Sequence, residues 1–588
     1  MSNKDEVFLA TTALEEFWDT SKPLLFMGEW CNRFSRRAFW ETLEYSFLPN
    51  PWSSLDKINA GNQYLNKVYE DILEIVGSKL NIIHGVDRSK RYWRIVLGVW
   101  LFHYAANVYD KFLRLKSITE IYPQYTTILL SEKDYIIPSD TEDFVVRIIN
   151  DTYNLQIISR MLKLEGKILP ERGIASPEKR QIPQVNNSLS KSIKMLWYKL
   201  LDGKANNGMY MQSSYFSKSD EFRLKVRFKS KLALGFDEQL PMDELVTNLT
   251  MRAELSDMKI DTEDEFVRIL VKLIPQDIPF CFLEGYQTLY LASKKKFRKY
   301  SNVKAIFSGT SWYFDETFKI WAADAREKGV ALLGGQHGGM YGINANLHQE
   351  DYELSIVDKY FTWGWDREGF NNKIIPMAAL KLNDIKDLQA DNQLKDILFV
   401  SNIWPRYFLR FTPILPHEVS TYIEWQIRFA AGLDKNIRDA LHIRGYINDF
   451  GWEYADRWSD AKLEVIMDSW EIPFRKRLEQ CRLVICDNTA TTFLEVLASN
   501  KPTILFWDFE THYIRPEAMP FFDELIRVGI LYKTPESAAH TVNQIYFDIE
   551  SWWNNPELQK VRSRFCERFA RVGPLREWIY EFSKVIAG

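Results

Sequence analysis

The chain has 588 residues, 46% apolar, 26% charged and 14% aromatic, more than one core comfortably fills and too apolar for a disordered chain. A formal net charge of −4 excludes the global basic field that would hold a nucleic-acid backbone. Five scattered cysteines, Cys31, Cys281, Cys481, Cys486 and Cys566, form no CxxC pair, which argues against a disulfide framework or a zinc site.

In chain order, the opening MSNKDEVFLATTALEEFW lacks the basic start and continuous apolar run of a secretion signal, so a cytoplasmic location is expected. NQYLNKVYEDILEIVGSKL (62–80) carries helical periodicity, and IVLGVWLF (95–102) reads as a buried helix segment, too short to span a bilayer. A polar break falls at 173–188. RLKVRFKSK (223–231) alternates cation and apolar residue as an exposed strand would, and KKKFRK (294–299) forms a second basic cluster. Both are read as solvated faces or as docking points for an anionic membrane or acceptor.

From about residue 265 the rhythm changes. VKAIFSG is a short strand, YFDETFKIWAADAREKG a helix closed by Gly329, and VALLGG another strand, which is β-α-β order and implies a parallel sheet. A second series begins at ADNQLKDILFVSN (390–402) and continues through ALHIRGY, CRLVICD and KPTILFW. A linker is expected near 376–394. The reading is α/β: two Rossmann-like domains facing across a cleft, residues 1–385 with a largely helical insertion at about 100–260, and residues 386–560. A C-terminal helix, 561–588, is expected to pack across both.

Two turns carry candidate chemistry. LLGGQHGGMYG (332–342) has five glycines and one histidine directly after a strand. Gln336, Gly338 and Gly339 can bring backbone close to a ligand and accept an anion, and the His337 imidazole can move a proton near neutral pH. A tight glycine turn with a structural histidine is the bland alternative. In CRLVICDNTATTFLEVLASNKPTILFW (481–507), Asp487, Asn488 and Thr489 lie at a strand's carboxyl end, and Thr491 and Thr492 at a helix N-terminus suited to phosphate. Glu495 lies one turn on, within reach of ribose hydroxyls. Arg444 follows another strand and could clamp a phosphate or carboxylate. Downstream of the glycine turn, Glu350 is the preferred carboxylate among Glu350, Asp351 and Asp358. Neither GxGxxG after a first strand, GxxxxGK[ST] nor HExxH occurs, which disfavours dehydrogenase and kinase readings.

FLATTALEEFWD with LLFMGEWC, GGQHGGMYG, DKYFTWGW, HIRGYINDFGW and DNTATTFLEVLASNKPTILF together resemble bacterial surface-polysaccharide transferases. The closest likeness is to capsule pseudaminic acid transferases, with a more distant one to capsule Kdo transferases. The resemblance implies a GT-B glycosyltransferase that moves a nonulosonic acid from its CMP-activated form to a hydroxyl of a lipid-linked capsule or surface glycan, with retention, without cofactor or metal, and with peripheral contact at the cytoplasmic face of the inner membrane. It also makes Glu29 in GEW a second candidate base beside His337 and Glu350. A CMP-Kdo transferase, a CDP-polyol phosphotransferase and a catalytically silent capsule-assembly scaffold are the alternatives.

Overall fold

The computed structural model describes residues 6–174, 203, 205–237, 245–383 and 388–587. Most of the polar break expected at 173–188 and part of the expected linker lie outside these residues.

Short apolar strands, buried along their length at the centre of the two large sheets, set the architecture. β1 (Phe8–Ala10), β2 (Leu24–Phe26) and β3 (Tyr45–Phe47) pair in that order, and β4 (Leu129–Leu130) pairs with β5 (Glu171–Arg172). A six-stranded sheet follows from β6 (Met209–Gln212), β7 (Leu232–Gly235), β8 (Ala305–Ser308), β9 (Ala331–Gly335), β10 (Lys359–Thr362) and β11 (Ile374–Pro376), in the order β11-β10-β9-β8-β6-β7. The second six-stranded sheet contains β12 (Asp396–Val400), β13 (Leu441–Arg444), β14 (Ile466–Met467), β15 (Cys481–Cys486), β16 (Thr503–Phe506) and β17 (Leu531–Tyr532), in the order β14-β13-β12-β15-β16-β17. Both large sheets are parallel throughout. Two Rossmann-like α/β domains therefore lie in one chain, which is the GT-B architecture.

Helical structure begins well before residue 100. Ser54 caps the helix Leu55–His84, which Gly85 ends at φ 62°, and Ser89 caps Lys90–Ile121. The second of these buries Ile95–Ala106 on every side, so IVLGVWLF is the spine of a helical layer rather than an amphipathic surface helix. Within 100–260, by contrast, β6 and β7 belong to the large sheet, so the expected helical insertion is interrupted by domain strands. The expected exposed strand at 223–231 is also corrected: Lys218–Phe228 is an α-helix. Ser217 caps it, Asp220 and Glu221 occupy its first turn, and Leu224 and Phe228 bury one helical face. Capping and i,i+4 burial outweigh the two-residue alternation.

The C-terminal segment joins the domains. Phe565 in the helix Pro556–Phe569 packs against Phe493 and Phe522 of the second domain. The chain then crosses back: Arg571 N–H donates to the Trp363 carbonyl at 3.0 Å, and Ala379 N–H donates to the Arg571 carbonyl at 2.7 Å. The final helix, Arg576–Ala587, lays Trp578, Phe582 and Ile586 on the first large sheet against Met209, Met211, Phe307 and Phe361. Trp578 is the anchor, since its indole N–H also donates to the Ala378 carbonyl at 2.8 Å. Trp578→Ala is expected to cost about 3–5 kcal/mol, read as a lower urea midpoint of the first domain's unfolding.

Candidate active site

In open parallel sheets, ligands bind outside the carboxyl ends of strands where the strand order reverses. Here the reversals fall between β6 and β8 in the first sheet and between β12 and β15 in the second. Beyond β6 the chain takes up positive φ at Ser213 and Tyr215, 47° and 62°, a strained path of the kind concentrated at binding sites. Beyond β15 come Asp487, Asn488 and Thr489.

The glycine turn leaves the carboxyl end of β9 and carries His337 into a buried polar hub. His337 Nε2 lies 2.8 Å from Glu353 Oε1 and 2.8 Å from the Tyr341 hydroxyl. Glu353 is fully buried and also accepts from the hydroxyls of Tyr341 at 2.7 Å, Tyr360 at 2.8 Å and Tyr313. Burial, reinforced by the neighbouring Glu353 charge, keeps these three tyrosines protonated well above their ordinary range. An Nε2–H donated to Glu353 leaves His337 Nδ1 as the basic nitrogen, and that atom has no partner among the described residues. Glu353 therefore orients the His337 ring. It escapes a sequence reading because it lies on the helix His348–Ile356, sixteen residues beyond His337.

The same turn seals the domains together. A Cβ on Gly339 would come within 2.7 Å of the Ala490 carbonyl oxygen and 2.8 Å of Thr491 Cα, so only glycine fits. Gly339 N–H donates to Thr491 Oγ1 at 3.1 Å, and Thr489 Oγ1 donates to Asn344 Oδ1 at 3.0 Å. Asn344 pairs with Ile514 as an isolated bridge. Gly338 sits over Tyr341, and Gln336 is buried, accepting from Trp363 N–H at 2.7 Å and Trp365 Nε1–H at 2.8 Å while donating to the Gly338 carbonyl at 2.8 Å. These three residues shape the turn.

Asp487 lines a pocket of about 160 Å³ with His417, Glu418, Trp425, Trp507 and His512. It accepts from Tyr422 at 2.7 Å and from Gln426 and Asn488 at 2.8 Å. Burial nevertheless pushes its carboxyl up to about 7, and that of Glu418 to about 8. Burial lowers His417 to about 4 and His512 to about 3, leaving both neutral. Trp507 Nε1, His512 Nε2 and His417 Nδ1 are buried without partners among the described residues, a set of polar atoms that a ligand could satisfy. Beside the pocket, the helix Thr491–Ala498 begins without a side-chain cap, leaving first-turn amides for an anion. Thr492 lies in that turn, half-buried.

The other expected residues are held elsewhere. Glu350 is fully buried, paired with Arg515 at 2.9 Å and Arg367 at 3.3 Å and accepting Gly342 N–H at 2.8 Å. It therefore ties the turn to the segment after β16. Arg444 is buried against Asp468 at 2.9 Å and under Trp470, and Glu495 pairs with Lys381 at 2.8 Å. These ion pairs compete with the clamp and ribose roles expected for the two residues. Glu29 is half-buried without a hydrogen-bond partner among the described residues, and burial raises its carboxyl above the ordinary range against the pull of Arg114 and Arg457. Replacing Glu353 by Leu strands three buried hydroxyls and the His337 ring. The expected loss is roughly 3 kcal/mol or more, measured by urea unfolding, with Glu353→Gln retaining a larger share of the stability.

Among solved structures, the chain is similar to Acinetobacter baumannii MurG (11% identity, TM-score 0.34, 64% of this chain and 99% of that one). It is also similar to the spinosyn forosaminyltransferase SpnP (10%, 0.32, 65% and 99%) and to WaaG, a glycosyltransferase involved in lipopolysaccharide biosynthesis (11%, 0.28, 65% and 100%). No curated protein matches. No helix among the described residues is long and apolar enough to cross a membrane. The family model for the LIC12162 family transferase matches residues 7–582, so the chain belongs to the LIC12162 family of transferases.

Proposed function

We propose that the protein is a glycosyltransferase that moves a nonulosonic acid, pseudaminic acid by preference, from its CMP-activated donor to a hydroxyl of a bacterial surface glycan. The observation that carries the reading is the pairing of two sites along one seam: the Glu353-held imidazole of His337 in the first domain, and the unsatisfied polar pocket beside an uncapped helix N-terminus in the second.

The roles follow from charge. Trp425 and Trp507 offer aromatic faces for the nucleotide base, with the orphaned polar atoms around them, the Trp507 Nε1–H donor and the His512 Nε2 acceptor among them, to fix its edge. The phosphate meets the first-turn amides at Thr491 and Thr492, where partial positive charge offsets the charge that develops as CMP departs. His337 Nδ1 takes the acceptor hydroxyl's proton, and the resulting imidazolium is stabilised by Glu353 through Nε2. Glu29 is the alternative base: its half-buried carboxyl lacks a hydrogen-bond partner among the described residues, and burial raises its proton affinity. A monophosphate leaving group lacks the diphosphate that commonly recruits a metal, so these roles are assigned to the chain's own groups.

The reading is tested by incubation with CMP-pseudaminic acid, CMP-Kdo and CMP-sialic acid and a glucoside acceptor, following CMP release and the product anomer by NMR. Release of CMP with a new glycosidic bond supports it; release of a phosphorylated polyol from a CDP donor instead would overturn it. The anomer separates direct displacement, which a base at His337 serves, from the retention implied by the family resemblance. His337→Ala is expected to lower kcat at least 100-fold while leaving CMP affinity within about threefold, and full activity would remove its role.

CMP affinity is also expected to fall as pH rises from 6 to 9. Asp487 and Glu418 lose protons at about 7 and about 8 and place negative charge beside the nucleotide. The same raised values stabilise the fold at low pH and cease to do so above them. Tryptophan fluorescence titration reads the trend, and Glu418→Gln is expected to flatten its upper limb.

A further inference from the structure

The helix His348–Ile356 presents Glu353 beneath His337 and, one turn earlier, Gln349 beneath a guanidinium. That cation is Arg410, reaching in from the loop after β12 of the other domain. Its guanidinium lies 3.1 Å from His103 Nε2 and 2.8 to 3.0 Å from the Gln349 amide oxygen in the orientation its surroundings require. The neutral hydroxyls of Tyr313 and Tyr341, which surround His337 and Glu353, lie in its neighbourhood.

What Arg410 lacks is a counter-ion. Among the described residues no carboxylate comes within 4.0 Å of it. Several buried arginines of this chain do have one, Arg406 meeting Asp151 at 2.6 Å, Arg515 meeting Glu350 at 2.9 Å and Arg444 meeting Asp468 at 2.9 Å, whereas buried Arg482 is held by three backbone carbonyls. Its imidazole neighbours do not add charge, because burial holds His103 at about 3 and His348 well below its ordinary value. A half-buried guanidinium bonded to a neutral ring and an amide keeps a desolvation cost that an arriving anion would offset. Its Nε, Nη1 and Nη2 groups converge on the Gln349 oxygen and Nη1 also meets His103, so a carboxylate would bind by taking the place of that neutral amide oxygen on the fork.

We infer that Arg410 is the specificity residue of this cleft, binding a carboxylate on the transferred sugar beside the reacting centre at His337. The inference rests on the cleft being the transfer site; it does not depend on the nucleotide being CMP. A carboxylate held by Arg410 would orient the sugar ring and exclude neutral sugars, whose hydroxyls leave the guanidinium without a counter-ion.

The test compares kcat/KM for matched acidic and neutral donors: CMP-N-acetylneuraminic acid against its carboxyl methyl ester, and UDP-glucuronic acid against UDP-glucose. The wild type is expected to prefer the acidic member of the pair it turns over, and Arg410→Gln to shrink that preference by about 10- to 100-fold. Arg410→Lys should fall between them, and CMP affinity in both variants should stay within about threefold, which also shows that the second domain is folded. An unchanged preference in Arg410→Gln would overturn the inference. So would a loss of CMP affinity as large as the loss of turnover, which would place the guanidinium on the phosphate. If the wild type turns over UDP-glucuronic acid and none of the CMP donors, the CMP reading fails and this inference stands; a wild type that uses only neutral sugars overturns it.

Discussion

The structure depends on one close approach, the backbone of Gly339 against Ala490 and Thr491, where no side chain fits. This contact brings the carboxyl ends of two parallel sheets together and fixes which side chains face each other. Asn344 extends it through Thr489 and Ile514, and Glu350 locks it through Arg515. The C-terminal helices brace the same geometry from behind, one packed on each domain. A cleft held at both seam and back is preorganised, which is where catalysis gains most from fixed dipoles and aligned groups.

Burial is the second organising cause, and it has a different consequence on each side. In the first domain it places Glu353 beneath four donors, so that one carboxylate orients the imidazole and three phenols at once. In the second domain, with fewer donors, it raises Asp487 and Glu418 until they hold protons near neutral pH. The first arrangement suits a base; the second lowers the negative charge met by an anionic nucleotide. Arg410 links the two sides, since it belongs to the second domain yet bonds to a helix of the first.

Much of the framework is legible in the sequence because parallel strands are short, apolar and separated by capped helices. VKAIFSG, VALLGG, CRLVICD and KPTILFW became β8, β9, β15 and β16, and Gly329 closed its helix at φ 91°. Lys218–Phe228 was not legible as a helix, because its alternating charges imitate a strand while its cap and buried face lie at Ser217, Leu224 and Phe228. The two signal-bearing turns were visible as clusters of glycine and threonine. Their partners were not: Glu353 looks like one more helix carboxylate until the fold brings it beneath His337, and Arg410 like one more surface cation until the fold sets it against Gln349 and His103. Glu350, Arg444 and Glu495 show the converse, for their ion pairs with Arg515, Asp468 and Lys381 span distances in sequence that no local pattern encodes.

The central claim is that the nucleotide sits in the second domain with its phosphate aimed across the seam at His337. A crystal structure of the chain with CMP tests it most directly. The account predicts the base between Trp425 and Trp507, the phosphate on the amides of Thr491 and Thr492, and His337 Nδ1 facing the phosphate's free side across the space of one sugar ring. CMP bound elsewhere, or a phosphate pointing away from the glycine turn, would contradict it.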